Sequence, residues 1–168
     1  MMTKHRGTMF VIWFACFALA CSALLAMPAH KDTDEILEGR ISQRDLSDRY
    51  SWFVDARQKY VPDAGVVNAL LPYSGQLEFV VVLGTWCSDS QKHVPAFYTL
   101  MDALHIADKH IELIGVDRQK RGGMVDVAPL GIEYVPTFIV FYQGKEIGRI
   151  VETPKVSLEK DLLQMLQN

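Results

Sequence analysis

A chain of 168 residues is long enough for one domain with a full core and too short for two ordinary ones. Its 17 Lys and Arg stand against 20 Asp and Glu, a net charge of −3, which argues against nucleic acid as a partner. Hydrophobic residues make up 49% of the total, and the excess is concentrated at the N-terminus.

Lys4, His5 and Arg6 precede a nearly unbroken apolar run from Met9 to Ala26, the layout of an export signal. Residues 1–29 are therefore expected to be a signal peptide or membrane anchor outside the fold. Three processing routes stay open. Ala18-Leu19-Ala20 before Cys21 satisfies a small-x-small cleavage rule. The same residues form an imperfect lipoprotein box, with Ala18 where leucine is usual, so that a lipidated Cys21 could attach the chain to a membrane. Uncleaved, Met9 to Met27 is long enough to span a bilayer. Each route places the remainder outside the cytoplasm, periplasmic or outside-facing. Removing residues 1–29 takes Lys4 and Arg6 from the basic count and nothing from the acidic one, which moves the net charge from −3 to −5. Cys16 and Cys21 go with the signal region, so the domain keeps Cys87 alone and an internal disulfide is excluded.

Residues 30–41 are polar and read as a spacer with little structure, and the domain is expected over 42–168. Ser42, with Asp45 three residues on, predicts a helix N-terminus, and Leu46, Tyr50, Phe53 and Val54 continue it at helical spacing to about Tyr60. Pro62 to Gly65 breaks the chain, Val66 to Leu71 reads as a short apolar turn, and Pro72 to Gly75 breaks it again. Leu77 to Leu83 predicts a strand whose continuous Val80-Val81-Val82-Leu83 core suits burial on both faces. A helix follows from about Ser88 to Leu104, kinked at Pro95, and Ile111 to Val116 predicts a strand parallel to the first. Asp117 to Gly123 is a basic loop, and Met124 to Leu130 reads as a short helix. Val135-Pro136-Thr137 opens a strand to Tyr142, Gln143-Gly144-Lys145 turns it, and Glu146 to Glu152 returns antiparallel. A last helix is expected from Thr153 with Pro154 at its first position. The order predicts an α/β domain with three layers.

The chemistry gathers at Gly84-Thr85-Trp86-Cys87-Ser88-Asp89-Ser90, where strand turns into helix. A sulfur at a helix N-terminus meets unpaired N–H groups and the positive end of the dipole, which favours the nucleophilic thiolate. The ordinary alternative is an inert core cysteine. His93, six residues on, is expected to point away from the sulfur. Arg118, Lys120 and Arg121 could draw an anionic thiol toward the motif or form a solvated turn. His105, Asp108 and His110 read as a solvated turn, and no metal site is expected.

Trp86-Cys87-x-x-Ser90, Pro95 and Val135-Pro136-Thr137, taken with the element order, resemble the thioredoxin superfamily from about residue 40 to the C-terminus. In that superfamily the motif is Trp-Cys-x-x-Cys, a kink proline follows five residues after the second cysteine, and a cis-proline faces the sulfur. The resemblance implies a thioredoxin-like three-layer α/β/α sandwich with a mixed central sheet, here with an added N-terminal helix. It implies that Cys87 attacks and that Trp86, Val135, Pro136 and Thr137 form the substrate groove, with Pro136 in cis. On the residues alone, a trans proline that merely starts a strand is also open. Two departures stand out. Ser90 replaces the resolving cysteine, and Val81, six residues before Cys87, replaces the buried acid common in the family.

What remains is monothiol exchange on protein or small-molecule disulfides, with an external thiol as reductant and no cofactor. Ser90 is expected to donate a hydrogen bond to the thiolate, while Asp89 opposes the thiolate by its charge and complements the dipole by its place. Two other readings fit the same residues: a redox-inactive module that holds peptides in the Trp86–Pro136 groove, and a peroxide-responsive sensor in which Cys87 is oxidised.

Overall fold

The computed structural model describes residues 33–168, so the expectations for residues 1–29 lie outside it. Among the described residues no helix is long and apolar enough to cross a membrane. Five strands form one mixed sheet: β1 (Gly39–Ile41), β2 (Leu77–Leu83), β3 (Ile111–Gly115), β4 (Thr137–Tyr142) and β5 (Lys145–Val151), in the order β1-β3-β2-β4-β5. β2 and β3 run parallel with α4 (Ser88–Ala103) between them in the chain, while β4 lies antiparallel to β2 and β5 antiparallel to β4. β2 and β3 thus fall within a residue of their predicted places and the hairpin strands within two.

The helical N-terminus is more broken than its periodicity suggests. Ser42 and Asp45 form the expected capping box on α1 (Gln43–Arg49), but Tyr50 is extended and a second helix, α2 (Ser51–Lys59), begins after it. The break is held in place because the Tyr50 hydroxyl donates to the Glu35 carbonyl oxygen. Asp63 accepts from the N–H groups of Gly65 and Val66, which turns the expected apolar turn into a helix, α3 (Ala64–Leu70). Two further expectations are corrected. The last helix, α5 (Leu158–Gln167), starts after Ser157 rather than Thr153, because the Ser157 hydroxyl accepts from Lys160 N–H and Asp161 turns back onto the N–H groups of Lys155 and Val156. The 30–41 segment is not all spacer: Gly39–Ile41 pairs with Leu113–Gly115 as an edge strand.

Alternation along the strands divides the core. Phe79, Val81, Leu83, Leu113, Phe138 and Val140 face the helices, with Phe53 of α2 against Tyr98 of α4 at 5.7 Å edge to face. Val82, Ile114 and Val116 face the other way, and the chain between β3 and β4 covers them with Val125, Val127, Leu130 and Ile132. That layer is a loop with one 3₁₀ turn at Ala128–Leu130 in place of the helix expected over 124–130. Both faces of the β2 C-terminus are therefore covered, and the motif emerges beyond the strand's last residue.

Candidate active site

β2 ends at Leu83, and the next four residues make a tight turn in which Cys87 N–H bonds the Gly84 carbonyl at 2.9 Å. Gly84 is required there: a Cβ would lie 2.6 Å from Cε2 of the Trp86 ring, which packs flat against the bare backbone. The Trp86 Nε1–H donates to the Val116 carbonyl at 3.0 Å, pinning the indole across the ends of β2 and β3. Cys87 occupies the N-cap of α4 with extended backbone, and its side chain does not cap the helix. The thiol is half-buried and unpaired with any other cysteine. Its Sγ instead lies 3.2 Å from the carbonyl oxygen of Val135, to which the S–H donates.

The Val135–Pro136 peptide bond is cis. Thr137 is buried, its hydroxyl donating to the Tyr134 carbonyl at 2.7 Å, and the Pro136 carbonyl accepts from Glu152 N–H at 2.7 Å. The approach to β4 is thereby clamped from both sides, with Val135 held against the sulfur. The carbonyl of Val135, a residue of the expected substrate groove, is occupied by the thiol in this state.

Ser90 is fully buried, and its Oγ accepts from Gly84 N–H at 3.2 Å. The hydroxyl expected on the Cys87 sulfur thus ties the turn to the first helical turn instead. Asp89, half-buried, sits in the first turn of α4 as expected. His93 is buried on the same helix away from the cradle, and Val81 is fully buried among apolar neighbours. His110 of the Asp108-Lys109-His110 turn lies 3.8 Å from Glu78.

The basic loop divides its charges. Asp117 accepts from the N–H groups of Gln119 and Arg121, each at 2.8 Å, and from Arg121 Nε at 2.7 Å. The backbone hydrogen bond from Arg121 is the main influence holding the Asp117 carboxyl below the usual carboxylate range. Arg121 is consumed in this fold-back, while Arg118 stacks on Trp86 with its guanidinium carbon 5.1 Å from the ring centroid. Residues missed by sequence reasoning complete the surroundings. Thr85 Oγ1 accepts from Leu37 N–H and donates to the Glu35 carbonyl, both at 3.4 Å, and Gln91 Nε2 donates to the Thr85 carbonyl at 2.9 Å. Behind Trp86 they border a polar cavity of about 500 Å³ shared with Trp52 and Arg118. No sequence signal marked them, because they depend on β1 bringing residues 33–37 to the motif.

The parallel β2-α4-β3 unit, the antiparallel β4–β5 hairpin, the cysteine at the start of α4 and the cis-proline opposite it define a thioredoxin-like fold. No protein-family model matches the sequence, and no curated protein matches it. Among solved structures the chain is similar to a protein of unknown function from Pseudomonas aeruginosa, with 16% identity over 77% of this chain and 92% of that one at a TM-score of 0.57. It is also similar to an HIV epitope scaffold, 16% identical over 77% of this chain and 93% of that one at a TM-score of 0.54. A Fasciola hepatica thioredoxin aligns more loosely, 20% identical over 62% and 90% with a TM-score of 0.37.

Proposed function

We propose that this protein carries out monothiol–disulfide exchange through Cys87 outside the cytoplasm. Support for an exported setting is the apolar run at residues 9–26, and support for exchange is the cradle itself. The observation that carries the reading is the 3.2 Å contact between Cys87 Sγ and the Val135 carbonyl beside a cis-proline, at the N-terminus of a helix. In the reaction the Cys87 thiolate attacks one sulfur of a disulfide RS–SR′, forming Cys87–S–SR and releasing R′S⁻. A second, external thiol R″SH then attacks the mixed disulfide, giving R″S–SR and returning Cys87 to the thiolate, with its proton passing to solvent. Among the described residues no second thiol can resolve the intermediate, since Cys87 is the only cysteine there. An S–H that leaves the Val135 carbonyl on ionising frees that acceptor for the N–H of a bound extended substrate.

The test is to incubate the full chain, with Cys16 and Cys21 replaced by serine, with glutathione disulfide and follow the intact mass. A single glutathionyl adduct, removed by excess reduced glutathione and absent from Cys87→Ser, is the expected result. No adduct, or an adduct that reduced thiol does not remove, overturns the exchange reading.

A further inference from the structure

Away from the sulfur, α2, α4 and the segment leading into α5 enclose a cleft of about 380 Å³ that shares no lining residue with the Cys87 cradle. Its size is that of a small-molecule site. The wall is largely apolar, formed by Tyr60, Ala96, Pro154 and Leu158, and Val156 stands at it 69% exposed. Three further side chains give the cleft a chemical bias. Lys59 and Lys92 line it and no carboxylate does, the nearby Glu159 being bound to Tyr60 and the Asp63 N–H, so the free charges on its wall are cationic. His93 contributes its imidazole to the wall at 8% exposure, and among the described residues its buried Nε2 has no hydrogen-bond partner. A buried ring nitrogen without a partner is uncommon and unfavourable, and it points to a group supplied from outside.

We propose that this cleft binds a small apolar carboxylic acid, its hydrocarbon or aromatic body against Tyr60, Ala96 and Leu158, its carboxylate hydrogen-bonded to His93 and attracted by Lys59 and Lys92. The neighbourhood of His93 fits this role. Burial, and after it the Lys92 ammonium, pushes the imidazole below its ordinary range, while Asp89 opposes them. The ring is thus neutral at neutral pH and can present Nε2–H as a donor. Tyr60 does not compete for the ligand, because its hydroxyl donates to Glu159. The site needs no chemistry at Cys87, so it stands or falls separately from exchange.

The probe is 2-naphthoate, with uncharged 2-naphthamide as its control, titrated calorimetrically into the purified full-length protein. Saturable binding of one naphthoate is expected, with naphthamide at least about tenfold weaker, since hydrogen bonds to charged groups exceed neutral ones. His93→Phe, which keeps the wall apolar and removes the donor, should weaken naphthoate about tenfold. The surface pair Lys59→Gln/Lys92→Gln should weaken it several-fold while leaving naphthamide unchanged, and Cys87→Ser should bind as the parent does. Absence of saturable binding overturns the proposal. So does equal affinity for acid and amide, or naphthoate affinity unchanged in the lysine pair, whose exposed side chains are not needed for folding.

Discussion

The turn between β2 and α4 is fixed by two residues, Gly84 and Ser90. Gly84 leaves room for the Trp86 ring, and Ser90 closes the turn by accepting from Gly84 N–H. Gly84→Ala puts a methyl 2.6 Å from the indole, so the ring must leave the Val116 carbonyl and the Arg118 stack. The expected loss is about 1–3 kcal/mol of stability by urea unfolding, with slower alkylation or exchange at Cys87. Ser90→Cys addresses the missing resolving thiol from the other direction. Position 90 lies one helical turn from Cys87 and is fully buried, so a cysteine there should form an internal disulfide under mild oxidation, seen as the loss of both titratable thiols without dimerisation. If both thiols remain free, Ser90 does not occupy the position of a resolving thiol.

At the scale of elements, β2 and β3 were legible because burial on both faces forces continuous apolar runs, as in Val80 to Leu83, whereas β1, short and polar, was not. The cysteine, the tryptophan and the proline of the cradle were legible because strand ends delivered them. The start of α5 was not, since it depends on Asp161 reaching back to Lys155 and Val156 rather than on a local proline signal. Nor was the docking of α2 and α3 onto α5, which rests on a buried polar contact. Burial works against the Glu159 carboxylate, yet hydrogen bonds, first from Tyr60 and including the Asp63 N–H, outweigh it and hold its carboxyl below the ordinary range. The same contact raises the Tyr60 hydroxyl, chiefly by burial and then by bonding to Glu159. A carboxyl depressed in the folded state adds stability above its unfolded pKa and loses it as pH falls through the folded value. The parent should therefore lose stability on acidification below about pH 4.5, the ordinary glutamate value. Glu146 shares that window, while Asp45 and Asp117, held below the ordinary aspartate value of 3.8, lose their contribution at lower pH. Glu159→Gln should be less stable at neutral pH and show a shallower decline over the same range. Equal slopes from denaturant titrations at several pH values would remove Glu159 from this role.

Across the whole molecule, the segment before the first helix joins the Cys87 cradle to the edge of the sheet. Residues 39–41 extend the sheet beyond β3, the Leu37 N–H bonds Thr85 of the motif turn, and Glu35 pairs with Arg49 at 2.6 Å. This docking demands a bare backbone at Gly115, where an added Cβ would come 2.2 Å from the Leu37 carbonyl oxygen. Neither atom can yield without parting the strands, because both belong to main chain. Gly115→Ala should therefore release residues 35–41 from the sheet and open the polar cavity behind Trp86, at a cost of about 1–3 kcal/mol. Hydrogen exchange is the direct reading: amides of Leu37 and Ile41 should exchange at least tenfold faster, and those of β2 and β4, which do not touch the segment, only as much as global stability falls. Exchange confined to a uniform loss across all strands would mean that β1 is an integral part of one cooperative unit. A selective loss would make it a separable strap, and Cys87 reactivity measured in the same variant would then report how far the cradle depends on it.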